Sequence, residues 1–223
     1  MAACVTAMLL ADSRFPSGTY AHSLGLEQAV ADGLRAQDVP RFIDARLCLI
    51  ARPEAALSVA ARRAALALDG AALKRLDREH GARCPSPVLR DIARRLGSQL
   101  LRSAGTAWPS QIIDGYRAAS ETTPRPIALG VVGAAASMTD LDVATVALYD
   151  DAATVASAAL KLLALDPAHT AHWLAQLAPQ IAASAEEIAA DAREVAEQPP
   201  TAAVGLEQAA AVHAARTERF FVS

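Results

Sequence analysis

At 223 residues, with 53% hydrophobic but only 4% aromatic side chains, the chain must build its core from small and aliphatic groups. That favours packed helices over sheets, which draw on β-branched and aromatic residues. A net charge of −3 excludes a general nucleic-acid binder, because neutralising phosphates needs a basic surface.

The N-terminal stretch MAACVTAMLLADSRF has no basic region and is interrupted early by Asp12, so it does not read as a signal peptide. Next comes DSRFPSGTYAHS, which gathers two aromatics, a Pro, a Gly, four hydroxyls, an Asp and a His in a dozen positions. Pro16 presets a turn and pushes Phe15 into an extended conformation, and Gly18 suits the turn's exit. Ser23 is placed to cap a helix over LGLEQAVADG, with Glu27 in its first turn facing the positive end of the dipole. Gly25 would let another backbone come near.

Helices then follow one another. Val39, Phe42, Ile43, Leu47 and Ile50 form an apolar stripe after the N-cap Asp38 and the first-turn Pro40. Val88, Leu89, Ile92, Ala93, Leu96 and Leu100 form another, backed by Arg90, Asp91, Arg94, Arg95, Ser98 and Arg102. Gly130 and Gly133 in LGVVGAAAS lack the Lys of a P-loop, so close helix contact, including self-association through Gly130 and Ala134, is the reading. The apolar run Ile127 to Met138 falls short of the ~20 residues a bilayer needs. Leu141 to Leu165 is apolar nearly all round, a buried central helix opened by a Thr139–Asp142 capping box. Asp166 caps a following helix that starts at Pro167, and Ile181, Ala185, Ile188, Ala192 and Val195 continue as a helical seam. A last helix starts near Gly205 and ends in RFFVS.

Breaks fall at Gly33, at Gly70, at 84–87, between Gly105 and Pro126, and at 197–200, and none is long enough to separate independent domains. The expectation is an all-α, single-domain bundle of roughly ten helices over 1–223. Its C-terminal helix and tail, about 205–223, lie behind a Pro199–Pro200 hinge. Cys4, Cys48 and Cys84 are odd in number and lack CxxC spacing, which predicts a reduced, cytoplasmic protein.

The residues offer little chemistry. Asp12, Ser17, His22 and Ser23 supply the types for a serine hydrolase, but no GxSxG elbow and no strand is there to strain a nucleophile. Asp150 and Asp151 point about 100° apart on a helix, so they read as solvated or capping carboxylates. His169 and His172 share a helix face beside Trp173 but lack the further ligands a metal site needs. No cofactor and no metal is expected.

The stretch ADSRFPSGTYAHSLGLEQAV resembles the N-terminal signature of the UreF family of urease accessory proteins, D-S-x-F-P-x-G-x-x-x-H-S-x-G-L-E. The match runs through Asp12, Ser13, Phe15, Pro16, Gly18, His22, Ser23, Gly25, Leu26 and Glu27. Leu96–Gly97 occupies the family's LG position. HAARTERFFVS is similar to its H-E-x-x-x-S-R-L-F-x-S ending through His213, Arg219, Phe221 and Ser223. Ala214 and Thr217 depart from that ending. Lys161 keeps a basic position associated with GTPase recruitment, although 164–167 depart from the family's turn; read from the residues alone, it is a snorkelling side chain.

The resemblance implies a non-enzymatic scaffold in urease maturation, a homodimer that binds the UreD/UreH accessory protein and recruits the GTPase UreG. Nickel would thereby reach apo-urease, with nickel and GTP handled by the wider complex. The partner-binding residues it implies, together with those the pattern of the chain suggests, are Phe15, Pro16, Gly18, Tyr20, His22, Ser23, Glu27, Lys161, His213, Arg219, Phe220, Phe221 and Ser223. Neither nucleic acid nor membrane is an expected partner. A helical ligand-binding regulator and a small serine hydrolase are the alternatives; the regulator would need a basic helix-turn-helix, which the first fifty residues do not provide. Phe220, Phe221 and Val222 either dock on the chain's own core or enter a partner. On the second reading, deleting 220–223 abolishes UreD/UreH capture and leaves melting unchanged.

Overall fold

The computed structural model describes residues 2–120, 122–191, 193, 195–197, 203–215 and 219–222. Among them every regular element is helical, as expected. The longer helices are α1 (Ala2–Ala11), α4 (Arg52–Leu66), α5 (Gly70–Arg83), α6 (Pro87–Ala107), α8 (Arg125–Ala135), α9 (Asp140–Leu163), α10 (Pro167–Ala190) and α11 (Val204–Ala214). The shorter α2 (Leu26–Ala31), α3 (Val39–Arg46) and α7 (Gln111–Ala119) complete the bundle.

At the centre α4 packs along α8, while α9 runs against α10, α4 and α1. Small residues make the first of these seams possible. A Cβ at Gly130 would stand 2.6 Å from the Ala61 Cβ and 2.7 Å from the Arg62 nitrogen; at Gly133 a Cβ would instead strike Val143 of α9. The self-association expected through Gly130 and Ala134 therefore loses its basis, because both residues are buried in a contact inside the chain. At Gly97 a side chain would collide with the Thr123 carbonyl, so the LG position serves the packing of α6 against the segment leading into α8.

Local chemistry sets most helix ends. The Thr139 hydroxyl accepts from the Asp142 N–H at 3.1 Å and the Asp142 carboxylate accepts from the Thr139 N–H at 2.9 Å. Asp166 caps α10 through the Ala168 N–H at 2.8 Å. Between α3 and α4 the backbone widens into one π turn over Leu47–Ala51. Pro53 has no N–H to return to the Leu49 carbonyl, and the π turn sits where that bond is missing. By length and composition α9 could cross a bilayer, but 67% of its most apolar window is buried inside the protein, which makes it a core helix. The seam predicted through Ile181, Ala185 and Ile188 is buried, but α10 ends at Ala190. Ala192, Pro199 and Pro200 lie outside the described residues.

Candidate partner-binding site

The segment 12–23 is a turn pinned from several sides. Phe15 is buried and stacks on Trp108, ring centroids 5.7 Å apart. The Pro16 carbonyl accepts from Ser103 Oγ at 2.8 Å and Gln99 Nε2 at 3.3 Å, both on α6. Gly18 has φ +88°, a conformation that favours glycine, and a Cβ there would stand 2.7 Å from the Gln99 Oε1, so Gln99 would have to move. Buried Ser17 shares a hydroxyl–hydroxyl contact of 3.2 Å with Thr19. Tyr20, in contrast, is 63% exposed.

Two consecutive residues, Leu24 (φ 54°) and Gly25 (φ 90°), then adopt the left-handed conformation. A non-glycine there is strained and persists only where its surroundings enforce it. Arg46 does so: its Nη1 donates to the Leu24 carbonyl at 2.9 Å while its Nε holds Asp151 at 3.0 Å. Gly25 is thus required by its φ and by Leu206 of α11, whose side chain would lie 3.3 Å from a Cβ, rather than by an approaching backbone.

Glu27 stands in the first turn of α2 as expected, but it is 5% exposed and also fastens the opposite end of the chain. Its Oε1 accepts from the Phe220 N–H at 2.8 Å; its Oε2 accepts from the Phe221 N–H at 3.0 Å and from His213 Nε2 at 2.9 Å. Burial opposes its ionisation, but the Phe220 N–H, His213 and the Phe221 N–H together outweigh burial and hold the carboxyl below its usual range. Ser23, fully buried, accepts the Glu27 N–H at 3.3 Å, so it does serve the start of α2 although Gly25 holds the cap position. Val222 donates to the Ala21 carbonyl at 2.8 Å, and Lys161 Nζ lies 5.1 Å from the centre of the Phe221 ring.

Phe221 is therefore turned into the chain's own core, the first of the two readings left open for the tail. Phe220 (87%) and Val222 (51%) stay exposed, and the bond from Val222 to Ala21 brings the tail next to the turn that carries exposed Tyr20. Exposed Arg219 and Lys161 border the tail, His213 is buried beneath it, and Ser223 lies outside the described residues.

Beneath this surface is a cavity of about 180 Å³, roofed by Leu206, Ala210 and His213 of α11. Its walls carry charge. Arg125 binds Asp150 at 2.6 Å and Arg46 binds Asp151, all four side chains largely buried. Asp150 and Asp151 are thus not the solvated or capping carboxylates the sequence suggested; each meets its own arginine from another helix. Glu54 faces the same space, its pKa pushed up to about 7 by burial and by the Asp151 charge. His22 and His80 fall to about 4, first through burial and then through arginines: Arg95 and Arg125 for His22, Arg94 and Arg90 for His80. An imidazole held neutral in this way is a poor base near pH 7, and Ser17 and Ser23 are closed to substrate, so a hydrolase gains no support. Among the described residues no group of three or more His, Cys, Asp or Glu side chains could hold a metal, and His169 and His172 point outward from α10.

A family model described as UreF matches residues 34–178. The chain is 37% identical over 166 residues to the urease accessory protein UreF of Mycobacterium marinum, covering 74% of this chain and 75% of that one. The chain belongs to the UreF family. It is similarly 35% identical over 173 residues to the UreF of Mycolicibacterium vanbaalenii, covering 77% and 78%. To the UreF of Mycobacterium sp. (strain JLS) it is 36% identical over 180 residues, covering 80% and 82%. The family match begins after the N-terminal motif and ends before the tail, so the UreF surface described here is assembled from segments outside it. Arg46, Glu54 and Arg125, which line the cavity, carried no local sequence signal.

Proposed function

We propose that this chain is a non-enzymatic scaffold of urease maturation, working in the cytoplasm as a homodimer. It would bind the UreD/UreH accessory protein and with it recruit the GTPase UreG, so that nickel is inserted into apo-urease. Nickel and GTP would be handled by the wider complex. Family membership supports the coarse reading, since the relatives are named accessory proteins. The observation that carries the finer one is the Glu27 clamp, which with the Val222–Ala21 bond brings exposed Phe220 and Val222 next to the turn that carries exposed Tyr20. Aromatic side chains are enriched among the residues that dominate binding at protein interfaces, and exposed Tyr20 and Phe220 are of that type.

The test is reconstitution. Apo-urease, UreD/UreH, UreG, nickel and GTP are combined with or without this chain, and urease activity and bound nickel are followed. Activation that depends on the chain is expected. Full activation without it, or hydrolytic turnover by the purified chain alone, would overturn the proposal.

A further inference from the structure

The surface assembled by Tyr20, Phe220 and Val222 has a charged border. On α6 the residues 95, 99, 102 and 103 fall within about 100° of one another around the helix axis. Gln99 and Ser103 are the two that hold the Pro16 carbonyl, so Arg95 and Arg102 lie along the seam where the motif docks. Both are exposed, and among the described residues neither makes an ion pair. Arg46, Arg62, Arg63 and Arg125, by comparison, all hold carboxylates. Arg117 of α7, also exposed, lies beside Gly105 near the end of α6 and extends the row. Of the four arginines over 87–107, Arg90 is held by the Cys84 and Pro85 carbonyls and Arg94 pairs with Asp77, which leaves Arg95 and Arg102 as the charges along the motif seam.

We propose that the partner surface covering Tyr20, Phe220 and Val222 is apolar at its centre and acidic on the side facing α6, with carboxylates that pair with Arg95 and Arg102. Guanidinium groups match carboxylates two-pronged, and a rim of this kind acts mainly on encounter rate and orientation. Two free arginines on a chain of net charge −3 are too few for the extended phosphate array of a nucleic acid or an anionic membrane, and match instead a short rim of carboxylates on a protein. The inference rests on the composite surface being the capture site for the UreD/UreH partner.

The experiment is surface plasmon resonance with that partner, from low to physiological salt, on three double variants. Arg95→Gln/Arg102→Gln is expected to slow association about tenfold at low salt and to flatten its salt dependence, with dissociation nearly unchanged. Arg75→Gln/Arg78→Gln removes the same charge from exposed positions on α5 and is expected to change neither. Tyr20→Ala/Phe220→Ala is expected to speed dissociation. If the α6 variant behaves like the α5 one while Tyr20→Ala/Phe220→Ala still loses the partner, the capture site stands and the acidic rim is wrong. If none of the three affects binding, the capture reading fails and this inference with it.

Discussion

Replacing Glu27 by Gln should release the tail without unfolding the bundle. The wild-type carboxylate receives three donors, the Phe220 and Phe221 N–H groups and His213 Nε2, at 2.8 to 3.0 Å. Gln keeps the volume but loses the charge and one acceptor oxygen, and its NH₂ then faces a donor. Hydrogen bonds to a buried charge contribute roughly 1.5–3 kcal/mol each, so losing one and weakening the others should cost about 3 kcal/mol. That is a shift of about a hundredfold in the docked population. The burial of Phe221 and the Val222–Ala21 hydrogen bond remain, which keeps the effect finite. Hydrogen exchange reads it directly: the amides of Phe220, Phe221 and Val222 should exchange about a hundredfold faster, while those of α4 and α8 keep their protection. The pH dependence has a definite sign. Because the folded carboxyl lies below its ordinary value of 4.5, its contribution is complete above that pH and is lost as pH falls through the folded value. Unchanged protection of the tail amides in Glu27→Gln would refute the clamp.

Three further outcomes follow from the core and the cavity. Between its ordinary 4.5 and about 7 the folded Glu54 binds more proton than the unfolded one, so wild-type stability falls across that window. Glu54→Gln should flatten that part of a melting-versus-pH curve by up to about 3 kcal/mol; His22 and His80 act oppositely, lowering stability as pH drops from 6.5 towards about 4. Gly130→Ala should destabilise by at least about 1–3 kcal/mol in denaturant unfolding through overpacking against α4, whereas Gly115→Ala, with nothing within 4 Å, should be neutral or stabilising. Ser17→Ala and Ser23→Ala should abolish no turnover in esterase, peptidase or GTPase assays, and Ser23→Ala should lower stability by about 1 kcal/mol through its lost bond to the Glu27 N–H.

Where structure depends on neighbours in sequence, the chain was readable. Thr139 and Asp142, Asp166 and Pro167, and the stripe on α6 each announce a helix through contacts within a turn or two. The Gly130 seam was legible in kind, since a small-residue run must touch something, but not in target, which is the chain's own α4. The site was legible by motif and not by role. Glu27 looks like a first-turn acid because its partners lie 186 to 194 positions away. Asp151 likewise meets Arg46 across 105 positions, and no local rule pairs them. Phe221 and Phe220 are adjacent in sequence and both amides donate to Glu27, yet one side chain is buried and the other 87% exposed, a division no local pattern announces.

The central claim is that the two chain ends form one capture surface, and partner binding by a surface-only variant tests it most directly. Tyr20→Ala/Phe220→Ala removes exposed side chains, so helix content and melting temperature should stay at wild-type values. Equilibrium binding to the UreD/UreH partner should weaken at least about tenfold, the effect expected when even one such aromatic is buried at an interface. Wild-type affinity in that variant, with the fold intact, would contradict the account.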